Sequence, residues 1–123
     1  MVSHVLPLAM VEVREYLDRD GHSPNAAWSD RLNREAAAKV AAALARVQQG
    51  NFSKAKGVGA GVYEYRIDFG PGYRIYFGKD GERFVILVGG GTKKRQQGDI
   101  KTAWARWQDY KQRKGAGEGL QWL

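Results

Sequence analysis

The sequence predicts one α+β domain in which helices cover one face of an antiparallel sheet. Three observations point to it: a short stretch near the start in which apolar and polar residues alternate, an alanine-rich stretch with apolar residues every three or four positions, and three later alternating stretches joined by Gly-Pro-Gly and Asp-Gly turns ahead of a closing helical stripe. A chain of 123 residues suffices for one core and is too short for two ordinary domains.

Val11 to Leu17 alternates with the period of a half-buried strand, and Asp20-Gly21 breaks it. Ser23-Pro24 reads as an N-cap followed by proline at the first helical position, opening a short helix that holds Trp28 and Leu32. Asn33 caps a second helix from Arg34 to Gln49, whose apolar stripe is Ala36, Val40, Leu44 and Val47. Val62 to Phe69 and Tyr73 to Phe77 then set Tyr63, Tyr65, Ile67, Tyr73, Ile75 and Phe77 on one face, and Glu64, Arg66, Asp68, Arg74 and Tyr76 on the other. A three-residue Gly70-Pro71-Gly72 loop predicts Phe69 opposite Tyr73, Arg66 opposite Tyr76 and Asp68 opposite Arg74. The Asp80-Gly81 turn predicts Phe77 opposite Phe84, Ile75 opposite Ile86 and Tyr73 opposite Val88, in a third strand from Arg83 to Val88. Gly89-Gly90-Gly91 reads as a tight strand exit, and Asp99 starts a last helix with Ile100, Ala103, Trp107 and Tyr110 on its stripe. The ordered core is expected over about 10–114. Residues 1–9 read as an upstream extension and Gly115 to Leu123 as a loose tail.

Charge divides unevenly along the chain. Residues 1–50 carry six Lys/Arg and six Asp/Glu, whereas the remainder carries fourteen and seven, so the whole net charge of +7 lies in the second part. An anionic partner is expected there, nucleic acid before membrane, although a solubilising surface explains charge alone equally well. No apolar run approaches the ~20 residues of a membrane span, and the stretch Val5 to Met10 lacks the basic segment and cleavage signature of a signal peptide. The absence of cysteine removes disulfides, thiolate metal sites and cysteine nucleophiles, and fits a reducing, cytoplasmic setting.

Histidine chemistry is equally short of parts. His4 and His22 are the only imidazoles, one in the leader and one in a loop, so neither a histidine-centred triad nor a zinc site is expected, and no cofactor is called for. The glycine run followed by Thr92-Lys93-Lys94 lacks the glycine spacing and the ending of a phosphate-binding loop. What remains is a convergence of cations and tyrosines. Glu64, Arg66, Arg74 and Tyr76 share the non-core face of two strands, Lys56 enters the same sheet, and Lys93, Lys94 and Arg95 leave it. Guanidinium groups match phosphate oxygens in pairs, lysines add point charge and tyrosine offers a stacking surface. Such a set suits RNA cleavage by the neighbouring 2′-hydroxyl, which needs charge stabilisation, a base and an acid but no metal. Proton transfer is harder to assign: Glu64 is either the base or a partner for Arg66, and an Asp68–Arg74 pair would be an ordinary cross-strand ion pair.

The linked segments Gly50-Asn51-Phe52, Lys56-Gly57-Val58-Gly59, Gly61 to Ile67, Gly70 to Phe77, and Gly89 to Lys93 with Gln96-Gln97 and Asp99-Ile100 closely resemble the addiction-module killer proteins, HigB-like members of the RelE/ParE toxin superfamily. The similarity runs from about Met10 to Lys114. It implies a RelE-like, microbial RNase-type fold with two N-terminal helices on one sheet face and a C-terminal helix. It also implies a toxin of a type II toxin–antitoxin system that cuts mRNA on the translating ribosome, and a helix-turn-helix antitoxin as its partner. Carried over by motif, the working positions are Lys56, Arg66, Arg74 and Lys93. The sequence departs from RelE where that protein has a functional tyrosine, reading Gln97-Gly98-Asp99-Ile100 with no tyrosine before Tyr110; the histidines of some HigB members are also missing. Acid and base therefore stay open, with Tyr76 as substitute candidate.

The expected function is thus a ribosome-dependent mRNA endoribonuclease with Arg66, Arg74, Lys93, Glu64 and Tyr76 at the reacting centre and Lys56, Lys94 and Arg95 on the RNA. A ParE-like gyrase poison and a degenerate toxin that only binds its antitoxin are the alternatives, because the superfamily hosts more than one activity.

Overall fold

The computed structural model describes residues 10–117; the expectations for residues 1–9 and for the tail beyond Gly117 fall outside them. The elements follow as strand β1 (Glu12–Glu15), helices α1 (Pro24–Ser29) and α2 (Arg34–Gln48), strands β2 (Ala55–Gly57), β3 (Val62–Ile67), β4 (Tyr73–Asp80) and β5 (Phe84–Thr92), a 3-10 turn (Lys93–Arg95) and helix α3 (Gln96–Gly115).

Local chemistry explains the helix starts. The Ser23 hydroxyl accepts from the Ala26 N–H at 3.0 Å with Pro24 just inside α1, and the Asn33 side chain accepts from the Ala36 N–H at 2.9 Å at the start of α2. Helix α2 buries Ala36, Val40, Ala43 and Val47 as its 3.6-residue period requires.

The sheet runs β1-β5-β4-β3-β2, antiparallel throughout except that β1 lies parallel to β5. The expected antiparallel sheet is therefore mixed, and it gains a strand, β2, too short to alternate visibly. Its two faces are both covered. Trp28 and the α2 stripe pack on Tyr65, Ile67, Tyr73, Ile75, Phe77, Val85 and Leu87, while α3 lays Ile100, Ala103, Trp107 and Tyr110 against Val62, Tyr76, Ile86 and Val88. Coverage of a single face is thereby corrected.

This second cover also explains the register errors. Every residue from Val85 to Val88 is buried, so β5 has no polar face from which its parity can be read. The two-residue turn at Asp80-Gly81 gives way to a pairing of Asp80 with Phe84, leaving Gly81, Glu82 and Arg83 in the loop. Phe77 then stands opposite Leu87, a bulge follows between Tyr76 and Phe77, and Ile75 and Tyr73 face Gly90 and Thr92. In the β3–β4 hairpin the predicted parity holds but the loop is longer: Ile67 pairs with Tyr73, Glu64 with Tyr76, and Arg66 with Arg74, so Asp68 does not stand opposite Arg74.

The glycine run is strand, not strand exit. A Cβ at Gly90 would come 2.3 Å from the Trp28 ring, and one at Gly91 would come 1.9 Å from the Asp99 carboxylate, so both glycines admit groups that lean directly on the sheet. Helix α3 accordingly begins at Gln96, a turn-length earlier than Asp99.

Candidate functional site

Strand register alone builds the site. One cross-strand row sets Lys56 opposite Glu64 and Glu64 opposite Tyr76; the next sets Arg66 opposite Arg74 and Arg74 opposite Gly91. Both rows lie on the face covered by α3. The Lys93 N–H donates to the Gly72 carbonyl at 2.8 Å, and the same turn brings Gly72 against the Arg74 guanidinium and the Lys93 side chain. Lys56, Glu64, Arg66, Arg74, Tyr76 and Lys93 therefore meet at one corner of the sheet, with Lys94 and Arg95 on its rim.

Their surroundings differ from the expectation. Arg66 is exposed as predicted, but Glu64, Tyr76 and Arg74 are 0%, 1% and 3% exposed, because the first turn of α3 closes over them. The Glu64 carboxylate accepts from Tyr76 Oη at 3.1 Å and from Gln96 Nε2 at 2.8 and 3.1 Å. Lys56 Nζ and Arg74 Nε each approach Glu64 Oε1 only to 4.0 Å, too far for a hydrogen bond. Glu64 pairs with these groups and not with Arg66. Burial pushes the Tyr76 hydroxyl well above its ordinary pKa, and the nearby Glu64 and Asp99 carboxylates add to the effect. It therefore stays protonated as a donor and cannot serve as a ready base.

Two atoms stand out at this corner: Arg74 Nε and Asp99 Oδ2 are buried without a hydrogen-bond partner among the described residues. Leaving such a donor or acceptor unmade costs about 1–3 kcal/mol, more for a charged group. Arg66 directly opposite Arg74 adds a like-charge pair, which destabilises a sheet. An arrangement that concentrates positive charge against its own folding stability is suited to receiving an anion.

Two shallow grooves open beside the corner. One, of about 450 Å³, runs along Lys93, Lys94, Arg95 and Gln96 to Asp99 and Thr102. The other, of about 330 Å³, lies between Lys54, Lys56, Arg66 and Asp68. Burial raises the Asp99 pKa, and the Arg95 and Arg106 charges only partly oppose it. Sequence reasoning assigned no catalytic or binding role to Gln96, Asp99 or Lys54. Gln96 and Asp99 were legible as a short polar run after the basic turn, but starting the helix at Asp99 left Gln96 in a loop. Away from this corner, Asp18, Asp20 and His22 bring possible ligand atoms within 4.8 Å of one another; the Asp18 carboxylate already accepts from the Asp20 and His22 N–H groups, as in an ordinary polar turn.

A protein of Haemophilus influenzae described as uncharacterized is 46% identical to this chain over 77 residues, a stretch covering 62% of this chain and 78% of that relative. The chain belongs to the family of that protein. No protein-family profile and no solved structure matches it. Kinship brings no assigned chemistry with it, so the functional reading rests on the geometry of the cationic corner.

Proposed function

We propose that this chain is the toxin of a type II toxin–antitoxin pair, of the HigB-like RelE/ParE kind, and acts as a metal-independent endoribonuclease on ribosome-bound mRNA. The observation that carries the reading is the meeting of Lys56, Arg66, Arg74 and Lys93 at one sheet corner, where Arg74 is buried with its Nε unpartnered. These are the positions to which the family resemblance assigns the work.

In this reading the exposed Arg66 binds the oxygens of the scissile phosphate, and Arg74, buried in the row beside it, stabilises the growing charge at short range without touching the RNA. Lys56, Lys93, Lys94 and Arg95 hold the neighbouring phosphates. Glu64 touches no RNA. Wholly buried, it fixes Tyr76 and Gln96 and steadies Arg74 from below. No base stacks on Tyr76, because α3 covers that ring. A helix-turn-helix antitoxin is the proposed partner and the cytoplasm the proposed setting; among the described residues no helix is long and apolar enough to cross a membrane.

Mapping new mRNA 5′ ends after brief induction tests the function. New ends within translated codons that vanish when initiation is blocked are expected. A DNA-damage response without new ends would replace the nuclease by a gyrase poison, and unimpaired growth would leave a binding module.

A further inference from the structure

The cleavage chemistry lacks a proton donor for its leaving group. Glu64 has no exposure and both of its oxygens are occupied, while Tyr76 is buried and already donates to it. His22 stands with Asp18 and Asp20 away from the corner, and a lysine ammonium is a poor acid near neutrality. The Asp99 carboxyl meets the requirements. Asp99 stands in the first turn of α3, forms part of the wall of the groove that carries Lys93 and Arg95, and presses Oδ2 into the space left by Gly91. Gly91 is the cross-strand partner of Arg74, which is itself opposite Arg66. The row of two guanidiniums thus ends on a carboxyl, two strand spacings or about 10 Å from its start.

We propose that Asp99 is the general acid of the cleavage step, an inference that rests on the nuclease reading above. The 2′-oxygen bonds to phosphorus as the bond from phosphorus to the 5′-oxygen breaks, and the 2′-proton leaves to a solvent water. Asp99 gives its proton to the departing 5′-oxygen, so the products are a 2′,3′-cyclic phosphate and a 5′-hydroxyl; solvent then reprotonates the carboxylate. Geometry and electrostatics agree on the role. Burial with an unpartnered oxygen favours the protonated carboxyl before the step, and the Arg95 and Arg106 charges favour the carboxylate after it. Gly91 is what allows the carboxyl this position, since any side chain there would displace it.

The test uses wild type and Asp99→Asn on ribosomes programmed with mRNA whose scissile linkage carries either the natural 5′-oxygen or a bridging 5′-sulfur. Thiolate leaves without protonation. On the oxygen substrate the variant is expected to cut roughly 100-fold more slowly than wild type, and on the sulfur substrate within about threefold of it. Equal losses on both substrates, or no loss on the oxygen substrate, would overturn the assignment while leaving the nuclease reading intact. No cutting by wild type of either substrate would overturn both.

Discussion

On one face of the sheet, α1 and α2 bury Trp28, Val40 and Val47 against Tyr65, Ile75 and Phe77, and the contacts are almost wholly apolar. On the other face, α3 has its own apolar stripe, with Trp107 stacked on Tyr110 at 5.2 Å and seated over Gly78, but it is also tied down by polar side chains along its length. Gln96 binds Glu64, Trp104 donates to the Val58 carbonyl at 3.1 Å, Arg106 to the Val88 carbonyl at 2.9 Å, Tyr16 to Asp109 at 2.7 Å, and Tyr110 to Asp80 at 2.6 Å; Lys114 and Arg113 add contacts to Asp80 and the Leu17 carbonyl. The polar face is specific, incompletely satisfied and sensitive to protons, and it is there that the cations gather.

The largest effect that would sharpen this contrast is expected on the apolar face. Trp28 is 9% exposed and meets Tyr73 edge-on at 6.4 Å, so Trp28→Ala is expected to cost about 3–5 kcal/mol in urea unfolding through lost burial and the cavity it leaves. Because no charge is involved, the loss should be the same from neutral to mildly acidic pH. A loss that changed steeply with pH would break the division of labour between the faces.

A smaller and pH-dependent effect is expected under α3. Burial raises the Asp80 and Asp109 pKa values, but hydrogen bonds from Lys114 and Tyr110 to the first, and from Tyr16 with the Arg113 charge to the second, outweigh it and hold both below the ordinary 3.8. Groups depressed in the folded state contribute stability that is present above their unfolded pKa and lost as pH falls through the folded value, here below about pH 4. Asp99, raised by its burial, has the opposite sign: its contribution is complete at low pH and declines as pH rises through its folded pKa. Thermal midpoints should therefore fall in acid less steeply for an Asp80→Asn, Asp109→Asn double variant than for wild type. Parallel curves would show that the Asp80 and Asp109 carboxylates do not help to hold α3.

The same contrast decides what was legible in the sequence. Helix α2 and strands β3 and β4 could be read because each has a face whose period is visible, and the pooling of cations on the even positions of β3 and β4 followed from it. Strand β5 is buried on both sides, so Phe84 to Val88 carries no alternation and its register could not be read from pattern. The parallel pairing of β1 has no local signature either. At the site, Arg66, Arg74, Lys56 and Lys93 were all nameable from sequence, but the burial of Arg74, Glu64 and Tyr76 was not. It depends on α3 starting at Gln96, and Gln96 carries no capping signature; the first-turn Asp99 is the more conspicuous start.

The claim at the centre is that Arg74, buried and underpartnered beside the exposed Arg66, stabilises the charge growing on a bound phosphate. Arg74→Met keeps the side-chain volume and removes the charge. Assayed for cleavage of ribosome-bound mRNA beside its urea unfolding curve, the variant is expected to lose at least about 100-fold in cleavage rate with only a modest loss of stability, because Glu64 keeps Lys56, Tyr76 and Gln96 as partners. Wild-type cleavage by Arg74→Met, or a large loss of stability in step with the loss of rate, would contradict the account and return Arg74 to the scaffold.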